Sequence, residues 1–186
     1  DVAFRQAVLA YQREVLSLAH VMLRAFAAAL GLPEDRFEAF YRKPMANLQL
    51  TRYRGQTSDV ELGLADHRDL GGLTLLLQDV VAGLEVQHRS GRWLAAPPIP
   101  GSLVVNIGDW MSTWSGGRYV STLHRAVNRS PSDRYSVPLF MIPDYDVVIE
   151  PLPELGPPVQ PCPEPFHVGA YLRRFYAQGL GEAVGD

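Results

Sequence analysis

Cys162 is the only cysteine in the chain, so no disulfide can close within it. The fold must rest on a buried core, and 186 residues suffice for one of good size without a second domain. The same scarcity fits a reducing compartment, and the chain reads as cytoplasmic. Long apolar runs are missing too. The longest, Val21 to Leu32, is broken by Arg24 and falls short of a bilayer span, so no membrane partner is expected. Basic runs are also absent: the net charge is −3, the basic residues are scattered, and no field gathers nucleic acid. No leader pattern precedes the first helix. A chain that opens at Asp1 rather than Met is read as one whose native beginning is trimmed or not included. There is no internal repeat and no heptad pattern.

What is present falls into three stretches. Residues 1–44 read as a helical segment packing on the core. Phe4, Val8, Tyr11, Val15, Leu18, Met22, Phe26 and Leu30 recur at three- and four-residue steps, which predicts one long amphipathic helix ended by Gly31 and Pro33. A short second helix is expected over Glu34 to Tyr41. Residues 45–150 change in texture. Asn47 to Tyr53, Leu73 to Leu77, Leu84 to Gln87, Leu103 to Ile107, Ala126 to Asn128 and Tyr135 to Ile142 read as short strands. Turn signals such as Gly71-Gly72, Pro100-Gly101 and Ser130-Pro131 separate them. The expected fold class is therefore mainly β with flanking helices, a jelly roll. Residues 151–186 begin with a proline-rich stretch and end in a helix expected over Phe166 to Leu180.

Chemistry enters at Ala65-Asp66-His67-Arg68-Asp69. In an extended strand residues i and i+2 share a face, so His67 and Asp69 can reach one metal ion. Alone this pair is a weak signal, since many surface turns carry one. His124, at the start of another expected strand, supplies a third ligand. Two histidines and a carboxylate form the facial triad of non-haem Fe(II) oxygenases and leave positions free for a chelating 2-oxo acid and O2. A catalytic zinc site can use the same ligands. Arg134 and Ser136 share a strand face further on. A guanidinium with a neighbouring hydroxyl suits the distal carboxylate of 2-oxoglutarate, and Tyr53 can add a hydrogen bond.

These residues carry a resemblance. The chain resembles the 2-oxoglutarate/Fe(II) dioxygenase superfamily, in the branch shared with isopenicillin N synthase and the flavonoid and gibberellin oxidases. The matching motifs include His67-Arg68-Asp69, Leu73-Thr74-Leu75-Leu76-Leu77-Gln78-Asp79, Val105-Asn106-Ile107-Gly108-Asp109, His124-Arg125-Ala126-Val127-Asn128 and Arg134-Tyr135-Ser136-Val137-Pro138. The resemblance implies a double-stranded β-helix (cupin-like), Fe(II) on His67, Asp69 and His124, and 2-oxoglutarate on Arg134 and Ser136. It also implies an N-terminal region that this chain lacks. Two departures stand out. Arg68 replaces the usual Thr or Ser between the first two ligands, and is expected to point away from the metal and pair at the rim. Thr51 stands where an asparagine often helps hold the 2-oxo acid.

Phe140 shares the parity of Arg134 and Ser136 and is assigned, with Thr51 and Trp110, to the pocket of a small organic substrate. His20, His88 and His167 read as non-ligands, Asn106 and Asp109 as turn or backbone-bonding residues, and Cys162 as inert. The expected reaction is oxidation of the substrate (hydroxylation, desaturation or ring closure) with release of succinate and CO2. Two alternatives accompany it. One is an Fe(II) oxidase of the isopenicillin N synthase or aminocyclopropane carboxylate oxidase kind, which does not consume 2-oxoglutarate. The other is a catalytically silent jelly-roll binding module. The sequence does not fix an oligomeric state.

Overall fold

The computed structural model describes residues 1–56 and 63–179. Helix α1, Val2–Ala29, opens on Asp1, whose Oδ1 accepts from the amides of Ala3 (2.8 Å) and Phe4 (3.3 Å). Its buried stripe is Val15, Ala19, Leu23 and Ala27, flanked by half-buried Tyr11, Met22 and Phe26. Phe4 and Leu18, expected in the stripe, are exposed. The alanines take the central positions because a small side chain lets the helix come close to the sheet beneath it.

That sheet is antiparallel and holds β1 (Met45–Leu48), β2 (Thr51–Tyr53), β4 (Leu73–Gln78), β7 (Val104–Ile107) and β9 (Arg134–Ile142). The order is β1-β9-β4-β7, and β2 also pairs with β9. The single strand expected over Asn47 to Tyr53 is thus two strands laid along one partner. A second antiparallel sheet has the order β3-β8-β5-β6, from β3 (Gly63–His67), β5 (Leu84–Gln87), β6 (Trp93–Ala95) and β8 (His124–Val127). The two sheets face each other across a cavity of about 240 Å³ lined from both. This is the expected double-stranded β-helix.

Alternation along the strands sorts the side chains. Leu73, Leu75, Leu139 and Met141 are fully buried on the α1 side, while Thr74, Leu76, Ser136, Pro138 and Phe140 line the cavity. Each fully buried leucine contributes about 2 kcal/mol of burial free energy. The strongest departure from expectation is α2, Asp109–Trp114, a six-residue helix where no element was expected. It is too short to be stable by propensity and is held by Trp110, Met111 and Trp114, all buried. Phe40 stacks on Trp114 at 4.6 Å, with Phe37 and Tyr41 beside it. A second helix was expected over Glu34 to Tyr41, but the chain there forms only a 3-10 turn, Glu38–Phe40. At the far end β10 (Val148–Ile149) pairs with β11 (Phe166–His167), and α3 spans Val168–Gly179. The final helix therefore starts two residues later than expected, and Leu180 lies outside the described residues. No helix among them is long and apolar enough to cross a membrane.

Candidate metal centre

Strand pairing brings the histidines together. β3 and β8 run antiparallel in a register that sets His67 opposite His124, and cross-strand neighbours stand about 5 Å apart at Cβ. Their ring centroids are 4.3 Å apart. Asp69 lies just past the end of β3, where its carbonyl accepts from the Asp109 amide at 2.8 Å. Gly71, with φ of +83°, then turns the chain into β4.

The outcome is a three-sided cluster. Asp69 Oδ1 lies 3.5 Å from Nε2 of both His67 and His124. Those contacts are long for N–H···O bonds. They match the roughly 3.0–3.5 Å separation of ligands that each stand ~2.1 Å from one shared ion. The outward atoms are fixed as well. His67 Nδ1 donates to the Ala65 carbonyl (2.8 Å) and His124 Nδ1 to the Thr122 carbonyl (2.9 Å), which leaves each Nε2 with a lone pair toward the centre. Asp69 Oδ2 accepts from Thr74 Oγ1 (2.7 Å) and Asn106 Nδ2 (2.9 Å), which aims Oδ1 at the histidines. Burial alone would raise the Asp69 carboxyl, but the neighbouring His124 and His67 imidazoles and the Thr74 hydroxyl outweigh it and hold it well below the usual carboxylate range. The Asp69 carboxylate in turn raises the His67 imidazole, against a smaller opposing effect of burial. The donor set, two imidazoles and one carboxylate, fits Fe(II) and leaves one side of the ion open.

Arg134 lies in the same cavity. It is 1 % exposed, and its Nε and Nη1 have no hydrogen-bond partner; Nη2 donates to Gln78 Oε1 at 2.9 Å. Burial pushes its guanidinium below the usual range. A buried cation with two unsatisfied nitrogens is costly unless an anion completes it. Ser136 is buried on the same strand face, and the Tyr53 ring lies 5.1 Å from the guanidinium carbon. Tyr53, Ser136 and Phe140 all line the cavity with the three candidate ligands.

The profile of the 2OG-Fe(II) oxygenase superfamily matches residues 45–143, the span that carries this site. The chain belongs to the 2OG-Fe(II) oxygenase superfamily. It is 38% identical over 92% of its length to the sexual differentiation process protein isp7 of Schizosaccharomyces pombe, covering 42% of that protein. Among solved structures it is similar to a full-length Neurospora crassa protein in complex with alpha-KG and 5-formyluracil (TM-score 0.85, 27% identity, 95% of this chain and 61% of that one). It is also similar to JOX2 in complex with 2OG, Fe and JA (TM-score 0.82, 35% identity, 92% of this chain and 52% of that one). The chain spans about half the length of the curated relatives it matches.

Several expectations need correction. Trp110, assigned to the substrate pocket, is 2 % exposed and packs against Phe166 and Tyr171 in the apolar core, away from the cavity. Thr51 pairs with Ser136 in the sheet but does not line the cavity. Arg68 is exposed and makes no ion pair among the described residues; it edges a shallow recess with Asp109, Ser112 and Ser121. Asn106 is no turn residue, since it sits on β7 and holds Asp69. The sequence reading also missed Thr74, Gln78 and Asn128. The last is fully buried and donates to the carbonyls of Tyr53 (3.1 Å), Arg54 (3.0 Å) and Ser132 (2.9 Å), tying β2 to the turn before β9. Their motifs were visible; their partners were not. His20, His88 and His167 stay outside the only three-ligand cluster found among the described residues.

Proposed function

We propose that the full-length protein is a non-haem Fe(II)- and 2-oxoglutarate-dependent oxygenase that hydroxylates, desaturates or cyclises a small organic substrate. One observation carries the reading: three convergent ligand atoms and a buried, incompletely bonded guanidinium share a single cavity. His67, Asp69 and His124 hold the iron. Arg134 and Ser136, with Tyr53 beside them, hold the distal carboxylate of 2-oxoglutarate. When bound, iron and 2-oxoglutarate together supply the oxidising power from O2, with succinate and CO2 released.

The chain's own residues position and exclude water. Leu76, Leu84, Val86 and Val104 make an apolar wall around the polar cluster, which strengthens the Arg134–carboxylate attraction. Phe140 contributes an apolar surface for the substrate. No side-chain acid or base is needed. Residues 45–150 form the oxygenase core in this scheme, with 1–44 and 151–186 as its supports. A cytoplasmic site of action accords with the single cysteine.

The test is succinate formed per substrate oxidised by the Fe(II)-loaded protein in air. A one-to-one ratio is expected. Substrate oxidation without succinate would transfer the site to the oxidase kind that spares 2-oxoglutarate, and loss of both activities would leave a binding module.

A further inference from the structure

Gln78 ends β4 and does not itself line the cavity, yet it hydrogen-bonds the Arg134 guanidinium from behind. Its amide is used at both ends. Oε1 accepts from Arg134 Nη2 (2.9 Å) and Nε2 donates to the Ala96 carbonyl (3.3 Å). Only one orientation of the amide satisfies both, because a carbonyl cannot donate and a guanidinium cannot accept. Along the same side chain, Gly83 leaves the room that the arginine needs. A Cβ there would meet Arg134 Cδ at 2.7 Å and Nε at 3.0 Å, with the Val127 carbonyl at 2.7 Å blocking retreat. The arginine is thus seated by contacts at Cδ, Nε and Nη2 before any ligand arrives. Moreover β4 grips both halves of the site: Thr74 holds Asp69 at the metal end, and Gln78 holds Arg134 at the other. Four residue steps of strand separate these grips, a fixed span of about 13 Å.

We propose that Gln78 is the positioning residue of the 2-oxo acid site, holding Arg134 so that its free nitrogens meet the second carboxylate of a five-carbon diacid. The inference rests on the co-substrate reading given above. Gln78 touches no ligand and acts through Arg134. Because a 2-oxo acid without a second carboxylate gains nothing from Arg134, the two kinds of acid separate a positioning role from a merely structural one.

The experiment is anaerobic calorimetric titration of 2-oxoglutarate and 2-oxobutyrate into the full-length, Fe(II)-loaded protein and its Gln78→Leu and Gln78→Glu variants. Q78L is expected to weaken 2-oxoglutarate about tenfold, the size of one hydrogen bond to a charged group, and to leave 2-oxobutyrate within about twofold. Q78E keeps the side chain's length and places a competing carboxylate on Arg134. It should weaken 2-oxoglutarate further and again spare 2-oxobutyrate. Equal weakening of both acids, or no change in either variant, overturns the proposal. A parent protein with no preference for the diacid overturns the co-substrate reading itself, which is a separate result.

Discussion

Arg134 sits at odds with the fold that holds it. Its two unpartnered nitrogens are buried, so the side chain costs stability until an anion completes it. Arg134→Leu is therefore expected to lower 2-oxoglutarate affinity about a hundredfold, the loss of a buried charge-paired contact. In the same variant the melting temperature without ligand should stay level or rise. Titration and thermal unfolding of one sample check both. Thr74 is the opposite case, a small hydroxyl whose bond to Asp69 Oδ2 supports the metal end. Thr74→Val keeps the shape and removes that bond. Anaerobic Fe(II) titration should show metal affinity reduced about tenfold, as for other outer contacts of metal ligands.

At the scale of elements, β9 makes the sharpest test, because adjacent residues serve different ends. Leu139 is fully buried on the α1 side, and Phe140 faces the cavity. Leu139→Ala should cost 2–5 kcal/mol in urea unfolding (about the usual range for a buried leucine) and leave 2-oxoglutarate binding near that of the parent. Phe140→Ala should cost less stability and act on substrate turnover. The parity behind this contrast was legible in the sequence, because a strand of nine residues carries its alternation plainly. The convergence of His67, Asp69 and His124, and the cavity face they share with Arg134 and Ser136, were legible too, from strand parity and side-chain type. The helix α2 was not legible. Six residues hold no periodic signal, and its position is decided by aromatics from Phe37 to Tyr41 packing around Trp114. Nor were the supports of the metal centre. Thr74 and Asn106 are direct partners in the β4–β7 register, so both reach the same Asp69 oxygen. Register between strands far apart in the chain is a tertiary outcome, and no local pattern encodes it.

For the molecule as a whole, the architecture divides labour between the two faces of one sheet. The outer face binds α1 and carries the hydrophobic core; the inner face, with the second sheet, forms the cavity. Apolar packing can thus absorb the cost of a polar, under-bonded interior site. Ligands that complete the site should stabilise the fold by mass action, so Fe(II) with 2-oxoglutarate is expected to raise the melting temperature in proportion to the logarithm of ligand concentration. The central claim is that one cavity joins a three-ligand iron site to an arginine-anchored diacid. Anaerobic addition of 2-oxoglutarate to the Fe(II)-loaded protein, followed by visible absorption, addresses it most directly. The account expects a weak charge-transfer band in the parent, none in Asp69→Ala, and in Arg134→Leu the same band only at about a hundredfold higher 2-oxoglutarate. A band that survives loss of Asp69, or a parent that shows none, would contradict it.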